Sequence, residues 1–209
     1  MIHTMQQTSP GSGVDADFLR ARLESRCEAG EAHFARHALE IAHCAAAMAD
    51  RFFLGGTLLV FGSGAGATDA QHNSVEYVHP VLPGCRALPA LSLSNDVSTV
   101  TGILGGGDPA DVYAHQLRVL GRPGDIAIAF LPTATDAAVL RGLSCAGQAG
   151  MLTVALSAGA APRAAATHRF HVSEDDALVA QELHLATYHM LWELVHILLN
   201  HRGIAEARI

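Results

Sequence analysis

Two pairs of side chains able to ligate a divalent cation stand far apart in this chain: His72 with Glu76 in AQHNSVEYV, and Gln181 with His189 in AQELHLATYHMLWELV. Residues i and i+4 of a helix share a face with Cβ atoms about 6 Å apart, so His72 and Glu76 are spaced for joint ligation. On its own such a pair is more often a solvated or capping pair than a metal site. Gln181 and His189 are harder to bring to one ion, because eight residues of helix separate their Cα atoms by about 12 Å. They converge only if both side chains reach inward, if Gln181 precedes the regular helix, or if an adjacent subunit supplies one of them. His184 and Glu193 are the local alternatives.

The elements that must hold these groups can be read from the hydrophobic pattern. Thr57 to Phe61 (TLLVF) is a short apolar run closed by glycines, the pattern of a buried parallel strand, and Ala67 to Val78 reads as the helix carrying His72 and Glu76. Further strands are expected at Leu88 to Leu93, Asp125 to Phe130, Leu152 to Ser157 and Arg169 to Val172. Helices are expected at about Val97 to Ile103, Pro109 to Leu120 and Asp136 to Ala149. Alternation of this kind implies a parallel sheet covered on both faces. A long helix over Ala16 to Phe53, bent near Gly30, precedes the sheet, and another over Ala177 to His201 follows it. The last helix is apolar around most of its circumference, as a helix central to a core or packed in an oligomer would be. Between the first strand and its helix, Gly62-Ser63-Gly64-Ala65-Gly66 lets the backbone approach an anion or a sugar at a helix N-terminus. The spacing is GxGxG rather than GxGxxG, no acidic residue follows about twenty positions on, and there is no GK[ST], so nucleotide-binding loops fit poorly.

Composition narrows the class. A chain of 209 residues, 50% hydrophobic and 16% charged, suits one compact domain over residues 16–201 between short tails at 1–15 and 202–209. A net charge of −7 without a Lys/Arg cluster argues against a nucleic-acid surface and leaves small molecules, such as a small-molecule substrate, or protein surfaces as the expected partners. Cys27, Cys44, Cys85 and Cys145 are scattered and read as reduced, mostly buried thiols. With neither a secretory leader nor a membrane-spanning stretch, the expected location is cytoplasmic, with no membrane partner.

The strings FGSGAGATDAQHNSVEY, LPALSLSNDVS, VLGRPGDIAIAF and AQELHLATYH resemble the sugar isomerase (SIS) domain of phosphoheptose isomerases over roughly Ala16 to Asn200. The resemblance implies a flavodoxin-like α/β fold with a five-stranded parallel sheet flanked by helices. It also implies a homotetramer with the long terminal helices bundled at its centre and active sites between subunits. A divalent metal, zinc first, would be held by His72, Glu76, Gln181 and His189. The same donors are compatible with iron, cobalt, nickel or manganese, and two His with one carboxylate is also the ligand type of non-haem iron oxygenases. By the same resemblance, Glu76 would shuttle the proton in an aldose–ketose isomerisation and His189 would act as the acid. Ser63, Gly64, Asp96, Thr133 and Thr135 would contact substrate.

The phosphate side departs from the family pattern. Gly66 stands where the family closes its first loop with serine, Leu131-Pro132-Thr133-Ala134-Thr135-Asp136 replaces STSGNS, and Val179 stands where an Arg is frequent. A carboxylate in the first turn of a helix satisfies the dipole that would otherwise attract phosphate. Three functions are therefore expected to compete: a metal-dependent isomerase of a sugar phosphate or a related substrate with altered phosphate anchoring; a SIS-fold metalloenzyme turned to other chemistry on an unphosphorylated substrate; and a non-catalytic scaffold or ligand sensor.

Overall fold

The structure, a computed structural model, describes residues 15–131, 135–159, 164–173 and 176–202. The expected tail at 1–15, apart from Asp15, and the tail at 202–209, apart from Arg202, lie outside the described residues. The chain opens with α1 (Ala16–Phe53), followed by β1 (Leu58–Gly62), α2 (Ala65–Val78), β2 (Ala90–Ser92) and α3 (Val97–Gly106). A single 3-10 turn (Pro109–Asp111) leads into α4 (Val112–Leu120), then β3 (Ile126–Leu131), α5 (Ala137–Gln148), β4 (Leu152–Ala158), β5 (His168–Val172) and α6 (Ala177–His201). The five strands form one parallel sheet in the order β2-β1-β3-β4-β5, the doubly wound flavodoxin-like arrangement.

The central strands β1 and β3 are apolar without interruption because both faces are covered, whereas the edge strand β5 alternates around an exposed Arg169. Leu58, Val60, Ile126, Ile128 and Phe130 point into a core shared with α1, α2 and α6. Their alternates Leu59, Phe61, Ala127, Ala129 and Leu131 pack under α4 and α5. No described helix is long and apolar enough to cross a membrane.

Helix starts are written in aspartate: Asp15, Asp96, Asp136 and Asp176 cap α1, α3, α5 and α6, each accepting backbone N–H groups of the first turn. Neither α2 nor α4 has a side-chain cap: the N-cap of α2 is Gly64 at φ 58°, and its first turn is closed instead by Gly66 N and Ala67 N bonding the Ser63 and Gly64 carbonyls at 3.0 Å. Gly62, just before it, is fixed by crowding: a Cβ there would lie 2.6 Å from the Gly66 carbonyl oxygen and 2.9 Å from Phe130 Cβ.

Two expectations need correction. Pro109 to Leu120 is not one helix, because proline at the start supports a 3-10 turn capped by Asp108 before the α-helix begins at Val112. Of the four free cysteines only Cys44 is buried; Cys27 is exposed on the outer half of α1, and Cys85 and Cys145 are half-buried.

Candidate metal and active site

Of the two candidate pairs, His72 and Glu76 meet His189 between α2 and α6, while Gln181 turns to Asp69. His72, Glu76 and His189 each present a ligand atom, and the three atoms lie within 4.8 Å of one another. His72 Nε2 stands 3.1 Å from Glu76 Oε1, while the His72 and His189 rings meet edge to face with centroids 5.4 Å apart. Metal–nitrogen and metal–oxygen bonds of about 2.0–2.2 Å hold donors roughly 3.5 Å apart, so a small inward movement of these side chains closes a cage on one ion. Two imidazoles and a carboxylate suit zinc and its first-row neighbours. The residues present therefore fit a divalent cation.

Burial sets the electrostatics. Desolvation lowers the His189 pKa, opposed by the Glu76 carboxylate and assisted by His72, so the ring favours the neutral form that a cation binds. Glu76 is held from behind by its own backbone, whose carbonyl accepts the Trp192 indole N–H at 2.8 Å. His72 is held through its other ring nitrogen, with the Tyr188 hydroxyl 2.7 Å from Nδ1.

Gln181 lies in the regular part of α6, which starts at Ala177, so the idea that it precedes the helix is corrected. Its Nε2 donates to Asp69 Oδ1 at 3.2 Å, leaving the amide oxygen as the acceptor it can offer. Asp69 is buried, and desolvation raises its pKa against the opposing pull of the Gln181 bond and of His72. Gln181 and Asp69 line a cavity of about 240 Å³ with Gly66, Phe130, Ala158 and His184, at the mouth of the glycine turn. His184 is spent on structure, its Nε2 bonding the Ser157 carbonyl at 3.1 Å, and Glu193 is exposed outside the cluster.

The expected substrate contacts are distributed. Ser63 is half-buried and Gly64 exposed in the turn ahead of α2, with the Tyr113 hydroxyl donating to the Gly62 carbonyl beneath them. Asp96 accepts Ser98 N at 3.0 Å and Thr99 N at 3.1 Å as the cap of α3. It opens on a different cavity of about 560 Å³, bordered by Leu91, Asn95, His115 and Gln116. Thr135 is exposed, and Thr133 lies outside the described residues. Asp136 spends Oδ1 on Ala138 N and Val139 N, both at 3.1 Å.

Sequence reasoning missed Asp69, Tyr188 and Trp192. Tyr188 and Trp192 do pack in the core, yet a buried hydroxyl or indole N–H needs a partner, and that need was the available signal.

This parallel sheet, with a glycine turn after β1 and a His/Glu/His cluster between α2 and α6, defines a doubly wound α/β domain. The chain belongs to the SIS domain family, which matches residues 26–158. Its phosphoheptose isomerase-like character shows in its relatives. It is 33% identical over 180 residues to the phosphoheptose isomerase of Desulfovibrio desulfuricans, covering 85% of this chain and 86% of that one. It is 29% identical over 195 residues to that of Thermodesulfovibrio yellowstonii, covering 92% and 97%. Among solved structures, a phosphoheptose isomerase from Francisella tularensis superposes with a TM-score of 0.81 at 25% identity, over 87% of this chain and 97% of the other.

Proposed function

We propose that this protein is a divalent-metal-dependent aldose–ketose isomerase acting on a sugar phosphate or a related sugar whose phosphate end is anchored differently. The observation that carries the reading is the convergence of His72, Glu76 and His189 on one point from two helices. The relatives named phosphoheptose isomerase supply the reaction class.

Isomerisation moves one proton between adjacent carbons through an enediol, with a matching exchange between the two oxygens. Glu76 takes the proton from the carbon beside the carbonyl and returns it to the former carbonyl carbon. His189 donates to the carbonyl oxygen and recovers a proton from the neighbouring hydroxyl. Asp69 and Gln181 present polar atoms to the adjoining cavity, where hydroxyl groups of the sugar would be held. His72, Glu76 and His189, with the Gln181 amide oxygen from this or a neighbouring subunit, would hold the cation. Zinc, or iron, cobalt, nickel or manganese in its place, supplies Lewis-acid polarisation of the carbonyl when bound.

A second reading, metal chemistry on an unphosphorylated substrate, is favoured by one observation: the Asp136 carboxylate occupies the α5 N-terminus. A homotetramer fits the exposed apolar residues of the terminal helices, Phe18, Leu19 and Leu23 on α1 and Leu178 and Ile197 on α6. Elemental analysis of the purified protein, followed by turnover of sedoheptulose 7-phosphate before and after chelation, tests the proposal. Bound divalent metal and chelator-sensitive isomerisation support it; a metal-free protein with undiminished turnover refutes the metal dependence. Metal without turnover favours the second reading, and light scattering reads the assembly.

A further inference from the structure

We propose that Tyr188 is a positioning residue whose hydroxyl lets His72 exchange tautomers between the metal-free and the metal-loaded site. The inference rests on His72 being a ligand of the cation, as read above. Tyr188 is fully buried, and its ring is pinned edge to face against Phe130 at 5.6 Å and His189 at 4.9 Å between centroids. Its hydroxyl lies 2.7 Å from His72 Nδ1, while the opposite ring nitrogen of His72 faces Glu76 Oε1 at 3.1 Å.

The proton count on the imidazole follows from those two contacts. An ionised Glu76 can only accept, so in the metal-free protein the proton of a neutral His72 sits on Nε2, and Nδ1 must accept from Tyr188. Once Nε2 turns its lone pair to a cation, a neutral imidazole carries its proton on Nδ1, which must then donate. A carbonyl or carboxylate in the position of the hydroxyl would accept only and serve the second state alone. A hydroxyl both donates and accepts, so rotation about its C–O bond serves each tautomer in turn without adding a charge beside the cluster. Phenylalanine would preserve the ring packing and leave Nδ1 without a partner in both states.

The test uses the full chain and zinc alone. Competition against a chromogenic chelator is measured for wild type, Tyr188→Phe and His72→Ala, with thermal melting of each metal-free protein. ¹⁵N-histidine NMR of the metal-free and zinc-loaded protein reads the tautomers. Tyr188→Phe is expected to weaken zinc 10- to 100-fold, while the metal-free variant still melts in one cooperative transition, lowered only by the loss of a single hydrogen bond. The slowly exchanging His72 Nδ1–H of the zinc-loaded wild type should be lost in this variant. Wild-type affinity in Tyr188→Phe with the Nδ1–H signal retained overturns the role of Tyr188 and leaves the metal site standing. Zinc binding that His72→Ala does not weaken overturns the metal reading itself, and this inference with it. Should the variant fail to fold, the metal-free wild type still decides, since finding His72 as the Nδ1–H tautomer overturns the proposal.

Discussion

Replacing Asp136 by asparagine separates what its side chain does for the fold from what its charge does to a substrate. Asp136 Oδ1 accepts Ala138 N and Val139 N at 3.1 Å, and an asparagine carbonyl oxygen caps a helix about as well as aspartate. The melting temperature should hardly move, whereas Asp136→Ala should cost about 1 kcal/mol. The cap also stands near the glycine turn. The Asp136 charge is felt at Tyr113, whose hydroxyl donates to the Gly62 carbonyl, so a phosphate seated between the α2 and α5 N-termini would face this carboxylate. For a dianion about 6 Å from a unit negative charge, Coulomb's law gives about 1.4 kcal/mol even at the dielectric constant of water, and several times more at an effective value of 20. Asp136→Asn is therefore expected to bind inorganic phosphate and sedoheptulose 7-phosphate at least tenfold more tightly than wild type in low salt. The gain should shrink as added salt brings the screening length below about 10 Å. Calorimetric titration of both ligands into wild type, Asp136→Asn and Asp136→Ala measures it. Equal phosphate affinity in wild type and a well-folded Asp136→Asn would refute the reasoning.

Glu76→Gln should lower turnover by about 10²- to 10⁴-fold, the usual contribution of a positioned base, with little change in the melting of the metal-free protein; activity within tenfold of wild type would remove Glu76 from the proton path. Stability should fall on acidification, because burial depresses the pKa of both His33 and His184 to about 4, with His37, His184, Arg36 and His171 adding to the pressure on His33. The unfolded imidazoles protonate near 6.5 and the folded ones do not. Their contribution is whole above pH 6.5, is lost between about 6.5 and 4, and amounts to roughly 3 kcal/mol for each ring. Urea midpoints measured across that window, compared with His33→Gln, check the sign and the size. Gly62→Ala should destabilise by about 1–3 kcal/mol through overpacking against Gly66 and Phe130, and an unchanged melting temperature would refute the crowding argument.

Much of the frame was legible because periodicity reports it directly. The bounds of α1 and α6 follow from unbroken apolar spacing, with aspartates directly ahead of both, and β1, β3 and β4 follow from largely apolar runs closed by glycine or proline. The strand expected at Leu88 to Leu93 is only Ala90–Ser92. Leu88 N turns instead to the Tyr77 carbonyl at the end of α2, and Leu93 N reaches the Val60 carbonyl of β1 just past the end of the strand. The pairing of His72 with Glu76 was legible because it lies within one helix. What periodicity cannot supply is the rotation of one helix relative to another. That rotation sends His189 to the His72 pair and Gln181 to Asp69, a division of labour along α6 that the eight-residue spacing left open. Tyr188 was hidden for a related reason: one step along a helix is a turn of about 100°, so the neighbour of a ligand normally points elsewhere. Here its ring is long enough for the hydroxyl to return to the site.

The placement of His189 depends on more than apolar packing. A helix as uniformly hydrophobic as α6 could satisfy its burial at several rotations and slides, since Leu, Val and Ala are nearly interchangeable against a smooth core. Polar side chains remove that freedom. Along α6, His184 bonds the Ser157 carbonyl, Thr187 meets His33 of α1 at 2.9 Å, Tyr188 meets His72, Trp192 donates to the Glu76 carbonyl, and His196 meets the Arg86 carbonyl at 3.0 Å. Each contact is satisfied at one register only, and leaving any buried member unpaired costs about 1–3 kcal/mol. A slide of one residue would break all of them together, a penalty comparable to the whole stability margin of an ordinary domain. Two of the five partners lie on α2 within the His72–Glu76 turn, so the contacts that fix α6 in the core also fix the distance from His189 to the pair it completes. The site inherits its geometry from the register of the core, and this is how residues so distant in sequence can meet to within the span of a metal's coordination sphere.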